Sequence, residues 1–149
     1  MSLSAEVLAS VVARETGTGD LVVNSRFTKY DFFREFADGT GADQAQIVFS
    51  DSRTAPQGSF TILLSAISDV RNGSTALVNF SAVKVIMVKN THAAYTITLT
   101  GAFSGTIKPG GVFLLVDPSA AGASPSSLFF ETTAGATYDL VVIGEGTIT

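Results

Sequence analysis

Zinc chemistry or a histidine-assisted nucleophile in this chain would have to run through His92, because it holds one histidine and no cysteine. A zinc site needs three or four converging His, Cys or carboxylate ligands, and a single histidine does not meet that demand. His92 stands in KNTHAAY, a turn-like segment between two apolar runs, where an exposed loop histidine is the simpler account. A serine nucleophile fares no better. The nearest approach to a GxSxG elbow is Gly122-Ala123-Ser124, which lacks the second glycine and the strand-to-helix setting that exposes such a serine.

Paired carboxylates could in principle flank a glycosidic bond. The candidates Asp38, Asp43, Asp51 and Asp69 fall in segments expected to be turns, where aspartate is common because its side chain bonds the local backbone. The spaced-ligand pattern of a calcium loop is missing, and DGTGAD at 38–43 offers only two aspartates around two glycines. The glycines of GTGAD do not make a dinucleotide fingerprint, for a third glycine and a following helical pattern are both lacking. Sugar stacking favours exposed Trp or Tyr, whereas here Trp is absent and Tyr is limited to Tyr30, Tyr95 and Tyr138. Phe dominates with 11 residues, and Phe packs dry. No catalytic, metal or cofactor-binding residue is therefore nominated, and a non-enzymatic protein without a cofactor is expected.

The elements that would hold any site read as strands. AYTITLTG alternates Thr with Tyr95, Ile97 and Leu99, the period of a half-buried strand. GTIKPGGVFLLVDP sets Pro109-Gly110-Gly111 between two strands, and Pro118 ends the second. QIVFSDS and FTILLSAI are apolar runs separated by RTAPQGS, expected to be a loop, with SAISDV placed as a single helical turn. AVKVIMVKN is apolar on both faces, as a central strand should be, with Lys84 and Lys89 marking its wetter ends. SLFFETT and ATYDLVVIGEG complete the series around a turn at Ala134-Gly135. Many short strands with Gly, Pro, Asn and Asp turns and no long helix predict an all-β, jelly-roll-like β-sandwich.

The N-terminal segment is different. Val7, Leu8, Val11 and Val12 recur at helical spacing behind a possible Ser4 cap, yet TGTGDLVVNSRF then reads as a turn and a β-type run. A short helix and an extended arm both remain open. FTKYDFFREF follows, and its dense aromatics make Phe27, Tyr30, Phe32, Phe33 and Phe36 the candidate partner-binding residues, with ordinary core packing the alternative. Residues 1–37 are taken as an arm or first strands and 38–149 as the sandwich domain.

Composition supports an assembled protein. Of 149 residues, 46% are hydrophobic and 15% charged, which excludes a disordered chain and leaves little charge to keep copies apart. No apolar run approaches the roughly 20 residues that cross a bilayer as a helix. A net charge of −4 and a pI of about 4.7, with basic residues dispersed, argue against nucleic acid as a partner. MSLSAEVLAS carries no basic-then-apolar secretory pattern.

Four ordered segments between Gly39 and Gly146 carry a family resemblance: GTGADQAQIVFSDSRT, LVNFSAVKVIMVKN, IKPGGVFLLVDP and ATYDLVVIGEG. Together they resemble small proteins encoded among the structural genes of tailed bacteriophages and prophages. FTILLSAI is more apolar than the corresponding run of that family. The resemblance implies a virion component, above all a capsid decoration or cement protein on the capsid surface, made in the host cytoplasm. It further implies the major capsid protein as partner and a homo-oligomer, by family habit a trimer. A tail or head-fibre component with a carbohydrate-binding, receptor-recognising sandwich is the alternative.

Overall fold

The computed structural model describes residues 2–18, 23–71, 74–123 and 127–149, with side chains 14–28 and 70–74 outside the description. The chain is all-β, and among the described residues no helix is long and apolar enough to cross a membrane. Among the described residues twelve strands run β1 (Ala5–Thr18), β2 (Val23–Asp38), β3 (Gln44–Ala45), β4 (Ile47–Ala55), β5 (Gly58–Leu63), β6 (Ile67–Arg71), β7 (Ser74–Asn90), β8 (Ile97–Thr100), β9 (Gly105–Ile107), β10 (Val112–Val116), β11 (Ser127–Thr132) and β12 (Ala136–Ile148).

Two sheets form the body. One has the order β10-β7-β12-β4, with β6 added beside β7, and the other the order β5-β11-β8-β9. The pairing is nested: β4 with β12, β5 with β11, β7 with β10, and β8 with β9, all antiparallel. The turn chemistry thus mostly carries the chain between sheets rather than back along the same one. Pro109-Gly110-Gly111 leaves β9 in one sheet and enters β10 in the other, with Gly110 at φ 77°. The four segments behind the family resemblance contain β10 and most of β4, β7 and β12, the main ladder of the larger sheet.

Alternation explains the core. Phe49 of β4, Ile86 and Val88 of β7, and Leu140 and Val142 of β12 point inward and are buried. From the second sheet come Ile97, Leu99, Leu128 and Phe130. Phe130 stacks between Phe60 at 5.0 Å and Tyr138 at 5.5 Å, joining the two layers through aromatic contact.

Three local expectations change. SAISDV is not a helical turn, because Ile67–Arg71 is a strand whose backbone pairs with residues 74–78 of β7. RTAPQGS is mostly strand, leaving Pro56 and Gln57 between β4 and β5. Lys84 is no wetter end but fully buried. Val83 lies opposite Gly144 and Val85 opposite Ile143, which makes Lys84 the extra residue of a bulge that redirects its side chain. Its Nζ donates to the Ser119 and Ala120 carbonyls, the latter at 2.7 Å, and pairs with Glu145 Oε1 at 2.9 Å. These partners satisfy a charge that would otherwise be costly to bury.

The glycines opposite this strand are forced by proximity. A Cβ at Gly144 would run into the Ala82 carbonyl oxygen, and one at Gly146 into that of Asn79.

The N-terminal ambiguity resolves as strand. β1 and β2 pair over their whole length from Ala5↔Phe36 to Thr18↔Val23, and β3 adds a two-residue parallel step. The helical spacing of Val7, Leu8, Val11 and Val12 yields because β-branched residues suit a pleated ladder and β2 supplies aromatic cross-strand partners.

Candidate functional site

The β1–β2 ladder presents two faces, and beyond its root each mixes exposed apolar side chains with polar or charged ones. One face carries Val7, Ala9 and Val11 opposite Arg34, Phe32 and Tyr30. The other carries Leu8, Ser10 and Val12 opposite Phe33, Asp31 and Lys29. Leu8 and Tyr30 are each 71% exposed and Phe33 52%, with Val11, Val12 and Phe32 also in solvent. A two-stranded ribbon is marginal in water unless something covers one of its faces.

Among the described residues only the root is covered. Phe36, 1% exposed, and Val7 pack with Ala45 against Val85 of β7 and Ile143 of β12, on the outer side of the larger sheet. The loop 39–43 pins this root. The Ala37 amide donates to the Asp43 carbonyl, the Gly39 amide to that of Ala45, and the Asp43 amide to the Pro118 carbonyl at 2.8 Å. Gln44 Oε1 accepts from the Gly41 amide at 2.7 Å and fills the space a side chain at Gly39 would need. GTGAD is therefore a structural turn, with Asp43 in the left-handed region at φ 53°.

Polar contacts along the ladder are local. Lys29 Nζ meets Asp31 Oδ2 at 2.9 Å and Ser10 Oγ donates to Asp31 Oδ1 at 2.7 Å. These two partners, Lys29 foremost, hold the Asp31 carboxyl below its ordinary value. Glu6 lies directly opposite Glu35, a like-charge pair at the root.

The sheet beside the root is also apolar outward. Leu114, Met87 and Val141 stand in one row across β10, β7 and β12, and Val116, Val85, Ile143 and Val48 in the next. Val48, Val112 and Leu114 are exposed. Between this surface and Glu6, Val7 and Leu8 of the hairpin runs a groove of about 200 Å³.

The nominated aromatics therefore divide. Tyr30, Phe32 and Phe33 are exposed on the hairpin, Phe36 is buried in its root, and the side chain of Phe27 lies outside the described residues. Sequence reasoning missed Leu8, Val11, Val12 and the sheet row. The missing signal was that VLASVV is apolar on both strand faces while belonging to a ribbon with no sheet on either side.

The chemistry-bearing residues stay apart. His92 Nδ1 accepts from the Ala94 and Tyr95 amides at 3.0 and 2.9 Å, and its ring stacks on Tyr95, so it shapes its own loop. Asp51 and Asp69 are in β4 and β6 rather than in turns, and Asp51 pairs with Arg53 at 2.8 Å. Asp38 ends β2 and accepts from the Leu3 amide. Among the described residues no three His, Cys, Asp or Glu side chains gather as a metal group. Gly122 lies against the Val83 carbonyl, and Ser124 is outside the described residues. Compared with protein-family profiles, curated proteins and solved structures, the chain gives no match in any of the three.

Proposed function

We propose that the protein is a non-enzymatic virion component of a tailed bacteriophage, a capsid decoration or cement protein that binds the major capsid protein lattice through its N-terminal hairpin. The observation that carries this reading is the hairpin itself: rooted on the sandwich at Val7 and Phe36, it leaves Leu8, Val11, Val12, Tyr30, Phe32 and Phe33 exposed among the described residues. Exposed apolar surface of this extent marks an interaction site. Two features support the virion setting. The nested pairing of β4 with β12, β5 with β11, β7 with β10 and β8 with β9 supports a jelly-roll reading of the sandwich, an architecture used by viral capsid and lectin domains. A shared architecture does not fix a function. The resemblance to phage structural proteins adds the second support, and its four segments coincide with the main ladder of one sheet.

Physically, the sandwich is an anchor and the hairpin a clamp. Burying Tyr30, Phe32, Phe33 and Leu8 against capsid subunits supplies the attraction, and repetition over a lattice lets each contact be modest. A trimer, expected from the resemblance, would present three hairpins at one lattice point. Co-sedimentation with assembled heads tests the reading. The wild-type chain should pellet with expanded heads, and a Tyr30→Ser/Phe33→Ser variant should remain in the supernatant. Absence of binding to both expanded and unexpanded heads would sink it.

A further inference from the structure

We infer that Lys84 is a positioning residue for the hairpin: its buried ammonium builds the 117–123 segment into a strut that holds the hairpin root on the sandwich. Two separate observations meet at this residue. The first is the bulge. Residues two apart on a regular strand share a face, yet Val83 belongs to the core between the sheets and Val85 to the outer cluster with Val7 and Phe36. Lys84 is the extra residue between them, so it is what turns Val85 outward to meet the hairpin.

The second is the path of the hydrogen bonds. An ammonium carries three donors, and that of Lys84 meets the Ser119 carbonyl, the Ala120 carbonyl and Glu145 Oε1. The 117–123 segment, which supplies two of these acceptors, has no buried side chain, so hydrogen bonds decide its place. Its backbone bonds to the larger sheet go to the same short stretch of β7. The Asp117 amide donates to the Lys84 carbonyl at 2.7 Å, and Ala123 exchanges amide–carbonyl bonds with Val83. Gly122, at φ 62°, lies so close that a Cβ there would stand 2.7 Å from the Val83 carbonyl oxygen. The strut then reaches the hairpin. The Pro118 carbonyl accepts from the Asp43 amide at 2.8 Å, and the Asp43 carbonyl accepts from the Ala37 amide of β2 at 3.0 Å. Lys84, the 117–123 segment, Asp43 and β2 thus make one continuous path of bonds from the buried lysine to the hairpin. The charge-assisted bonds at its buried end are the strongest in it, and losing them frees a segment that has no apolar anchor. A hairpin already held in place loses less freedom when it docks. The strut stands apart from the capsid reading, and its effect on head binding rests on that reading.

Residue-resolved amide exchange on the isolated full chain tests the strut. In Lys84→Met the Asp43, Asp117 and Ala123 amides should speed up roughly tenfold beyond any change in β5, β8 and β11. Gly122→Ala pushes the segment off β7 with the lysine intact and should release the same amides. It keeps the test readable should Lys84→Met fail to fold. Glu145→Gln leaves both carbonyl bonds in place, so it should lower stability while the Asp43 amide stays protected relative to the core. Unchanged relative protection in Lys84→Met and Gly122→Ala, or equal release in Glu145→Gln, would overturn the inference. Head pelleting adds a functional arm: Lys84→Met and Gly122→Ala should bind expanded heads roughly tenfold more weakly. Released amides with undiminished head binding would overturn the positioning role. A wild type that pellets with no heads, while exchange follows the expected pattern, would sink the capsid reading and leave the strut standing.

Discussion

The sandwich and the hairpin are built from similarly apolar strands, yet they stand in opposite relations to water. In β7, apolar residues on both faces are covered, inward by the second sheet and outward around Val85 by the hairpin root. Among the described side chains of β1 the same two-faced pattern is buried only at Val7, while Leu8, Val11 and Val12 remain in solvent. Strand composition alone thus does not say whether a segment is core or contact surface; the number of layers beside it does. The sandwich buries the facing sides of its two sheets by itself, and the hairpin leaves its burial to be completed by another molecule.

Substitutions should separate the two regions sharply. Phe130→Ala removes the ring between Phe60 and Tyr138 and should lower stability by about 4 kcal/mol, read from chemical denaturation. A loss below ~1 kcal/mol would mean that the two layers are not joined there. Lys84→Ala leaves Glu145 without its cation and the Ser119 and Ala120 carbonyls without their donor, and should cost about 3 kcal/mol. Lys84→Met, which fills the space but not the charge, should also be destabilising, because Glu145 still loses its ion-pair partner. On the hairpin, Leu8→Ser or Tyr30→Ser should change the stability of the isolated monomer by less than ~0.5 kcal/mol while weakening association. A large loss of monomer stability would make these residues core rather than interface.

The smallest expected effects are in pH, and they lie at opposite ends of the scale. Burial raises the Tyr138 phenol above its ordinary value, so the folded state holds its proton longer than the unfolded chain. The stability tied to that proton is complete below the usual tyrosine range and is lost as pH rises through it. Asp31 on the hairpin is lowered by Lys29 and then Ser10, so its contribution is present above the usual carboxylate range and lost as pH falls. Tyr138→Phe should flatten the alkaline limb of a denaturation-midpoint profile. Asp31→Asn should shift only the acid limb, slightly, because the carboxylate is exposed.

Much of the sandwich was legible in the chain. Alternation in TITLT, the turn at Pro109-Gly110-Gly111 and the doubly apolar AVKVIMVKN gave strands where strands occur. What escaped were features that depend on a neighbour distant in sequence. SAISDV reads as a helical turn, but an adjacent strand captures the backbone of residues 67–71. Lys84 looked like a solvent-facing end until a bulge turned it toward the 119–120 carbonyls and Glu145. The aromatic run at 27–36 pointed to the contact region, although Phe36 proved to be its buried root. The aliphatic half of that surface, Leu8 to Val12, was obscured by a spacing that suits helix and strand alike.

Amide hydrogen exchange on the full chain, compared between free protein and protein bound to assembled heads, tests most directly whether the hairpin is the half-finished surface. Association should slow exchange along residues 8–12 and 29–33, leaving β5, β8 and β11 unchanged. Protection confined to β5, β8 and β11, or no change in the hairpin on association, would contradict the account.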